Sequence, residues 1–75
     1  MMDFGNALSA LKTGHQVARK GWNGKGMWLR LIPEMVEGTT GRTLVPYVQM
    51  KAADDTLVPW LASQTDILAT DWEII

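Results

Sequence analysis

The chain has 75 residues, a formal net charge of −1 at pH 7 and no cysteine. The absence of cysteine excludes disulfides and thiolate metal sites, and the single histidine, His15, cannot form a zinc site alone. The composition also lacks the basic excess that is typical of proteins that bind DNA or RNA. Because a chain this short buries little surface on folding, we expect it to gain stability by self-association.

The first predicted element is an amphipathic helix near the N-terminus. Asp3 can cap its first turn, and the apolar side chains of Phe4, Leu8 and Leu11 recur at helical spacing. Gly14 is well placed to end the helix in a left-handed conformation. We therefore expect this helix to lay its apolar side on a sheet.

Short strands are predicted over most of the remaining chain. Alternating apolar and polar residues, bounded by glycine, proline or aspartate, place them at 16–20, 27–32, 46–51, 56–58 and 71–75. In the second strand, Met27, Leu29 and Leu31 share one face. Pro59 indicates that the fourth strand ends there or lies at a sheet edge, because proline cannot donate a ladder hydrogen bond.

Turns and one further helix connect these strands. Asn23-Gly24 signals a tight turn, and residues 34–42 are predicted to form a mobile loop. Ser63 begins a second, shorter helix, with Asp66 as its capping-box-like partner. Together the elements predict a single α+β domain over residues 1–75, in which a small antiparallel β-sheet is packed by the N-terminal α-helix plus one short helix.

The sequence offers no recognisable catalytic constellation. It has no cysteine nucleophile, no second histidine and no G-x-S-x-G elbow, and the side chains of the adjacent pair Asp54-Asp55 would point apart. No apolar run reaches the ~18 residues of a membrane span, and no signal peptide is evident. We therefore expect a cytoplasmic protein that is not an enzyme and that needs no metal or cofactor.

The glycine-rich segment 21–26 is the most informative stretch of the chain. It is neither a P-loop nor a dinucleotide fingerprint, but its backbone amides, unshielded by side chains, can approach phosphate oxygens closely. Arg19, Lys20 and Lys25 supply positive charge beside it, and Trp22 offers a flat ring for a base. The alternative is a hairpin whose tryptophan only covers one end of the core.

A second candidate region surrounds another tryptophan. Trp60 stands just before Gln64, Thr65 and Asp66, which are hydrogen-bonding side chains at the start of the predicted second helix. These side chains either contact a ligand or simply cap the helix and satisfy its backbone. The other two tryptophans, on strand patterns, are assigned to the core or to an interface: Trp28 and Trp72.

Two motifs in these regions resemble a known family. Residues 19–26 read R-K-G-W-N-G-K-G and residues 59–66 read P-W-L-A-S-Q-T-D, and with D-F-G at 3–5 and D-W-E-I at 71–74 the chain closely resembles the second class of phage anti-Thoeris proteins. The resemblance implies a homotetramer in the host cytoplasm. It also implies a sponge that sequesters, without degrading, the glycocyclic ADP-ribose signal of Thoeris in pockets between subunits. Some members also hold CBASS cyclic dinucleotides at separate pockets.

The resemblance and the residue chemistry together suggest how a cyclic nucleotide would be held. The tryptophans of both regions would stack on base or ribose, the basic loop and its backbone would hold the phosphates, and the helix residues would read ribose or base edges. The ligand-binding residues predicted in this way are Arg19, Trp22, Asn23, Gly24, Lys25, Gly26, Trp60, Gln64, Thr65 and Asp66.

Two questions stay open at the level of sequence. The stretch between Ile32 and Tyr47 is shorter than in many family members, and if the longer stretch lines a pocket in those members, the choice of ligand differs in this protein. The tryptophan-rich surface also suits a different function, that of a small protein–protein inhibitor of a host enzyme.

Overall fold

The fold was analysed in a computed structural model, which describes residues 2–22 and 25–75. Its helices, strands and single 3₁₀ turn follow the chain in this order: α1 (Phe4–Lys12), β1 (Val17–Arg19), the 3₁₀ turn (Lys20–Trp22), β2 (Trp28–Ile32), β3 (Met35–Val36), β4 (Thr43–Leu44), β5 (Tyr47–Lys51), β6 (Leu57–Pro59), α2 (Gln64–Ile67) and β7 (Trp72–Ile74). The five strands predicted from the sequence are confirmed, each to within one residue at either end. The tight turn predicted at Asn23-Gly24 lies outside the described residues.

Five strands form one antiparallel sheet in the order β6-β5-β2-β1-β7. The β2–β5 pair is the longest, with Trp28 opposite Lys51 at one end and Ile32 opposite Tyr47 at the other. β1 lies between β2 and β7, so the first and last strands along the chain are neighbours in the sheet. Pro59 lies on the edge strand β6, as predicted, because an edge position requires no ladder donor from proline.

Helix α1 begins and ends where the sequence predicts. The Asp3 side chain accepts the Asn6 amide at 2.8 Å, and the Asn6 side chain accepts the Asp3 amide, which completes a capping box. Gly14 follows the last turn with φ +92°, a conformation that glycine adopts without steric cost. These contacts fix the helix so that Ala7 and Leu11 are buried against the sheet.

The core between α1 and the sheet is small. The largest side chains that are fully buried in it are Leu11, Val17 and Leu29, and Trp72 is also buried. Leu31, Val48 and Met50 from the central strands, and Phe4, Trp22 and Trp60 from outside them, complete it as partly buried neighbours. The α+β fold class is thereby confirmed: one antiparallel sheet, one main helix across it and one short helix.

The second helix begins at Ser63, whose hydroxyl accepts the Asp66 amide at 3.1 Å. The predicted cap is therefore correct on the serine side. The other half of the capping box is wrong, because the Asp66 carboxylate bonds to Arg19 instead of to the serine amide. A distant cation thus replaces the local contact expected from the sequence.

The prediction of a loop over 34–42 is wrong for Met35–Val36, which form β3 of a short hairpin, while residues 37–42 form its connection. β3 and β4 pair with Met35 opposite Leu44, and Gly41 has φ +70° in the connection. The Glu37 carboxylate accepts the Thr40 hydroxyl and also the amides of Thr39 and Thr40, at 2.7 and 2.9 Å. These hydrogen bonds, that of the Thr40 hydroxyl first, lower the Glu37 pKa to about 2. The Glu37 carboxylate thus gives the turn hydrogen bonds that its glycines alone would not provide.

Across residues 2–22 and 25–75, none of the helices combines the length and apolar character needed to cross a membrane.

Candidate functional site

A cleft of about 450 Å³ opens beside the 3₁₀ turn, at the end of the sheet where β1, β2 and β7 meet. Its volume lies within the usual range for small-molecule sites, roughly 300–1,000 Å³. The described residues that line it are Ala18, Arg19, Lys20, Trp22, Lys25, Gly26, Met27, Trp28, Glu73 and Ile75. Two tryptophans and three basic residues thus line one space.

The 3₁₀ turn is fixed by two hydrogen bonds to a single residue. The Gly21 amide donates to the Asp71 carboxylate at 2.8 Å, and the Lys20 amide donates to the Asp71 carbonyl at 3.1 Å. The turn carries Trp22 at its end, so these bonds determine where the indole meets the cleft.

Arg19 is the centre of an ion-pair network at the same place. Its Nη1 donates to Asp66 at 2.7 Å and its Nε donates to Asp71 at 2.8 Å. The hydrogen bonds to Asp71 and then to Asp66 raise the Arg19 pKa above its already high ordinary value. The Arg19 hydrogen bond, aided by the Gly21 amide, lowers the pKa of Asp71, so this carboxylate is ionised at neutral pH.

Trp22 belongs to the cleft and to an aromatic cluster at once. Its ring meets Trp72 edge-on at 5.4 Å, and Trp60 meets another part of Trp72 at 6.1 Å. Phe4 of α1 packs on both Trp60 and Trp72 at 5.8 and 5.6 Å. The Trp72 indole N–H donates to the Asp66 carbonyl at 3.0 Å, so the buried ring has a polar partner.

The far side of the cleft is also held by side-chain contacts. Lys51 donates to the Gly26 carbonyl at 3.0 Å and pairs with Asp55 at 3.1 Å. On β2, the Arg30 guanidinium lies 5.5 Å from the Trp28 ring centroid, and its Nε donates to Gln49 at 2.8 Å. Both walls are therefore pre-formed by contacts within the chain.

The Thoeris anti-defense 2-like domain model (Tad2-like) matches residues 2–75. A protein of Bacillus phage SP01 named "Thoeris anti-defense 2" is 40% identical over 84 aligned positions, covering 99% of this chain and 94% of the relative. This chain belongs to the Thoeris anti-defense 2-like family. The resemblance to anti-Thoeris phage proteins inferred from its two motifs is thus confirmed. Because the alignment is longer than the chain's 75 residues, the relative contains residues that this chain lacks.

In this Tad2-like chain, the residues predicted to bind a ligand fall into two groups. Arg19, Trp22, Lys25 and Gly26 come together in the cleft, whereas Asn23 and Gly24 lie outside the described residues. The second group is arranged around the α2 end of the domain: Trp60, Gln64, Thr65 and Asp66. Of that group, Asp66 contacts Arg19 directly, while the described lining of the cleft includes neither Trp60 nor the exposed Gln64 and Thr65.

Two residues that line the cleft, and one that supports it from behind, were not predicted as site residues from the sequence. Asp71 was treated only as the start of the last strand, although it holds both Arg19 and Gly21. Trp28, assigned to the core or to an interface, is half-buried and lines the cleft, as does Glu73. The signal for Asp71 is the pairing of β1 with β7, which places Arg19 opposite Trp72 and so beside the preceding aspartate. That pairing is not readable from either strand alone.

Proposed function

We propose that this Tad2-like protein binds a cyclic nucleotide immune signal and withholds it from the host defence without degrading it. The signal would be glycocyclic ADP-ribose of Thoeris, and CBASS cyclic dinucleotides are a further ligand class. The protein would act as a homo-oligomer, a tetramer, in the cytoplasm of the infected bacterium. Neither a cofactor nor a metal is part of this proposal.

The observation that carries the proposal is the combination of charge and aromatic surface in the cleft. Among its described lining residues Arg19, Lys20 and Lys25 are basic and Glu73 is acidic. The Arg19 guanidinium is already paired with Asp66 and Asp71, so the exposed Lys20 and Lys25 supply the positive charge for a ligand. The indoles of Trp22 and Trp28 line the same space. Concentrated positive charge beside aromatic rings suits a ligand that contains both phosphates and bases.

The magnitudes are adequate for sequestration. Capturing a signal at nanomolar concentration requires about −12 kcal/mol of binding free energy. A base stacked on an aromatic ring contributes about 1–3 kcal/mol, and a hydrogen bond to a charged group about 1.5–3 kcal/mol. Several such contacts in a cleft whose walls are already held in place reach the required value, because little ordering is left to oppose them.

Self-association would complete the site. Trp60, Gln64 and Thr65 do not join the described lining of the cleft in one chain, so we propose that they contact the ligand from a neighbouring copy. The small core supports association, as does the exposure of large apolar side chains such as Val36, Val45 and Leu61. With its guanidinium bonded to Asp66 and Asp71, Arg19 would support the wall of the cleft, and Lys20 and Lys25 would meet the phosphates.

The absence of turnover can be tested by recovering the ligand. The protein is incubated with glycocyclic ADP-ribose, freed of unbound nucleotide by filtration and heated, and the released material is identified by mass spectrometry. We expect the intact cyclic nucleotide in an amount that matches the protein. Recovery of an opened or cleaved product would indicate an enzyme instead.

A second candidate function is inhibition of a host protein. The hairpin β3–β4 favours it, because Met35, Val36 and Leu44 are all exposed on two strands that stand outside the main sheet. A pull-down from host lysate that yields one stoichiometric protein, together with no nucleotide binding by the purified chain, would support this function over sequestration.

A further inference from the structure

The Gly21 amide, one of the bare glycine amides expected to face a phosphate, already binds an anion of the protein itself. It donates to Asp71 Oδ2 at 2.8 Å, while Asp71 Oδ1 accepts Arg19 Nε at 2.8 Å. Arg19 is held in turn by Asp66 at 2.7 Å. One carboxylate thus joins the end of β1, the start of the 3₁₀ turn and the start of β7.

We propose that Asp71 is a positioning residue for the ligand cleft, and that its bond to the Gly21 amide fixes the turn that presents Trp22. This inference rests on the proposed function for the nature of the ligand. Asp71 itself does not line the cleft, so its effect on binding passes through the turn.

The close approach of the carboxylate also restricts which residue can stand at position 21. A Cβ at Gly21 would lie 2.8 Å from Asp71 Oδ2 and 3.3 Å from Arg19 Nη2. The first distance is shorter than carbon and oxygen tolerate, so any side chain at 21 would push the carboxylate away from the amide. Glycine is required here by the carboxylate of the same chain rather than by a ligand phosphate.

The charge of Asp71 matters as well as its shape. Hydrogen bonds between an ionised carboxylate and backbone or guanidinium N–H groups are roughly twice as strong as neutral ones. Asparagine at 71 would keep an oxygen acceptor of the same size but lose the charge that holds Arg19. The turn would then keep the Lys20 amide bond to the carbonyl of residue 71 but only a neutral side-chain bond in place of the charged network.

The test combines hydrogen exchange with binding in the full chain. Asp71→Asn and Gly21→Ala are compared with the wild type and with Asp54→Asn, a control that removes a carboxylate bonded to Thr56 in a distant turn. Amide exchange by NMR follows the turn, with the amides of α1 and β2 as internal references. Binding of glycocyclic ADP-ribose is measured by calorimetry on the same samples.

We expect exchange at residue 21 in Asp71→Asn, and at residue 22 in both variants, to accelerate about tenfold or more while the α1 and β2 amides keep their rates. Ligand affinity should fall by about tenfold in the same variants and stay unchanged in Asp54→Asn. Exchange in the turn that stays at the wild-type rate would overturn the proposal, and so would a uniform acceleration across the domain, since that indicates a merely structural role.

Different results would contradict the proposed nucleotide binding and the positioning role of Asp71. If the wild type binds no nucleotide, the proposed function is lost, yet selective loss of protection in the turn would still support positioning by Asp71. If the wild type binds and Asp71→Asn binds equally well despite a loosened turn, the cleft does not depend on the turn and positioning is overturned.

Discussion

The Trp22 ring packs edge-on against Trp72, with the ring centroids 5.4 Å apart and the planes at 79°. Because Trp72 is buried and Trp22 also lines the cleft, this contact joins the candidate site directly to the core. The two interpretations of the glycine-rich loop, core cover and ligand site, are therefore compatible. A ring supported from behind can present a fixed surface to a ligand without losing much side-chain entropy on binding.

Trp22→Leu should weaken nucleotide binding by about 1–3 kcal/mol, or roughly 5- to 150-fold in Kd, because a stacking surface is lost. The matched control is Phe4→Leu, which also removes a ring from Trp72 but from the α1 side, away from the cleft. Calorimetry on both variants separates stacking from packing. Equal loss of affinity in the two would remove Trp22 from the site.

Lys25→Gln should lower affinity by about tenfold, the lower end expected for a charge-assisted contact, since Lys25 is exposed and screened by solvent. The decrease should be larger at low ionic strength than at 1 M salt. Lys12→Gln, which removes an exposed cation from the end of α1, is the control and should bind as the wild type does. Identical salt dependence in all three proteins would contradict a phosphate contact at Lys25.

The turn of the hairpin β3–β4 should keep its Glu37 contacts to a lower pH than a glutamate with an ordinary pKa would allow. The Glu37 pKa is lowered to about 2 by the Thr40 and Thr39 bonds, so ionised Glu37 stabilises the turn at all pH values above the ordinary glutamate range. This contribution should weaken as the pH falls below that range and disappear as the pH passes through about 2. NMR titration of the Glu37 carboxyl measures it directly. A midpoint at the ordinary glutamate value would show that the threonine bonds do not form in solution.

Much of the architecture was predictable because its signals are local. The Asp3 cap, the left-handed Gly14 and the Ser63 cap each depend on residues within one helical turn. Alternation in the strand around Leu29 likewise identified the face that packs under α1. Elements specified by neighbouring residues could be located without knowledge of the pairing.

Some of the errors arose where distant residues decide. Asp66 was expected to complete the box at its own helix, but Arg19, far away in sequence, binds its carboxylate. The hairpin was missed for a different reason: its turn is held by local bonds from Thr39 and Thr40 to Glu37, but the glycines around them were read as the sign of a loop. The cleft was partly predicted from its basic and glycine-rich motif, whereas strand pairing brings Trp28 into its lining and places Asp71 behind the turn that borders it.

Self-association should make thermal stability depend on concentration. If the oligomer is the stable form, mass action raises the melting temperature as protein concentration increases, because unfolding is coupled to dissociation. Intrinsic tryptophan fluorescence suits the measurement, since Trp72 is buried and Trp22 and Trp60 are partly buried. The melting temperature should rise continuously over a hundredfold range of concentration. A constant value, with a monomer in sedimentation equilibrium, would contradict association.

Native mass spectrometry with a panel of cyclic nucleotides tests the central claim most directly, because it reports subunit count and bound ligand in one spectrum. We predict a tetramer of the 8.3 kDa chain that carries intact glycocyclic ADP-ribose or a cyclic dinucleotide, and that loses the nucleotide in Trp22→Leu. A monomer that retains none of the nucleotides offered would contradict the account.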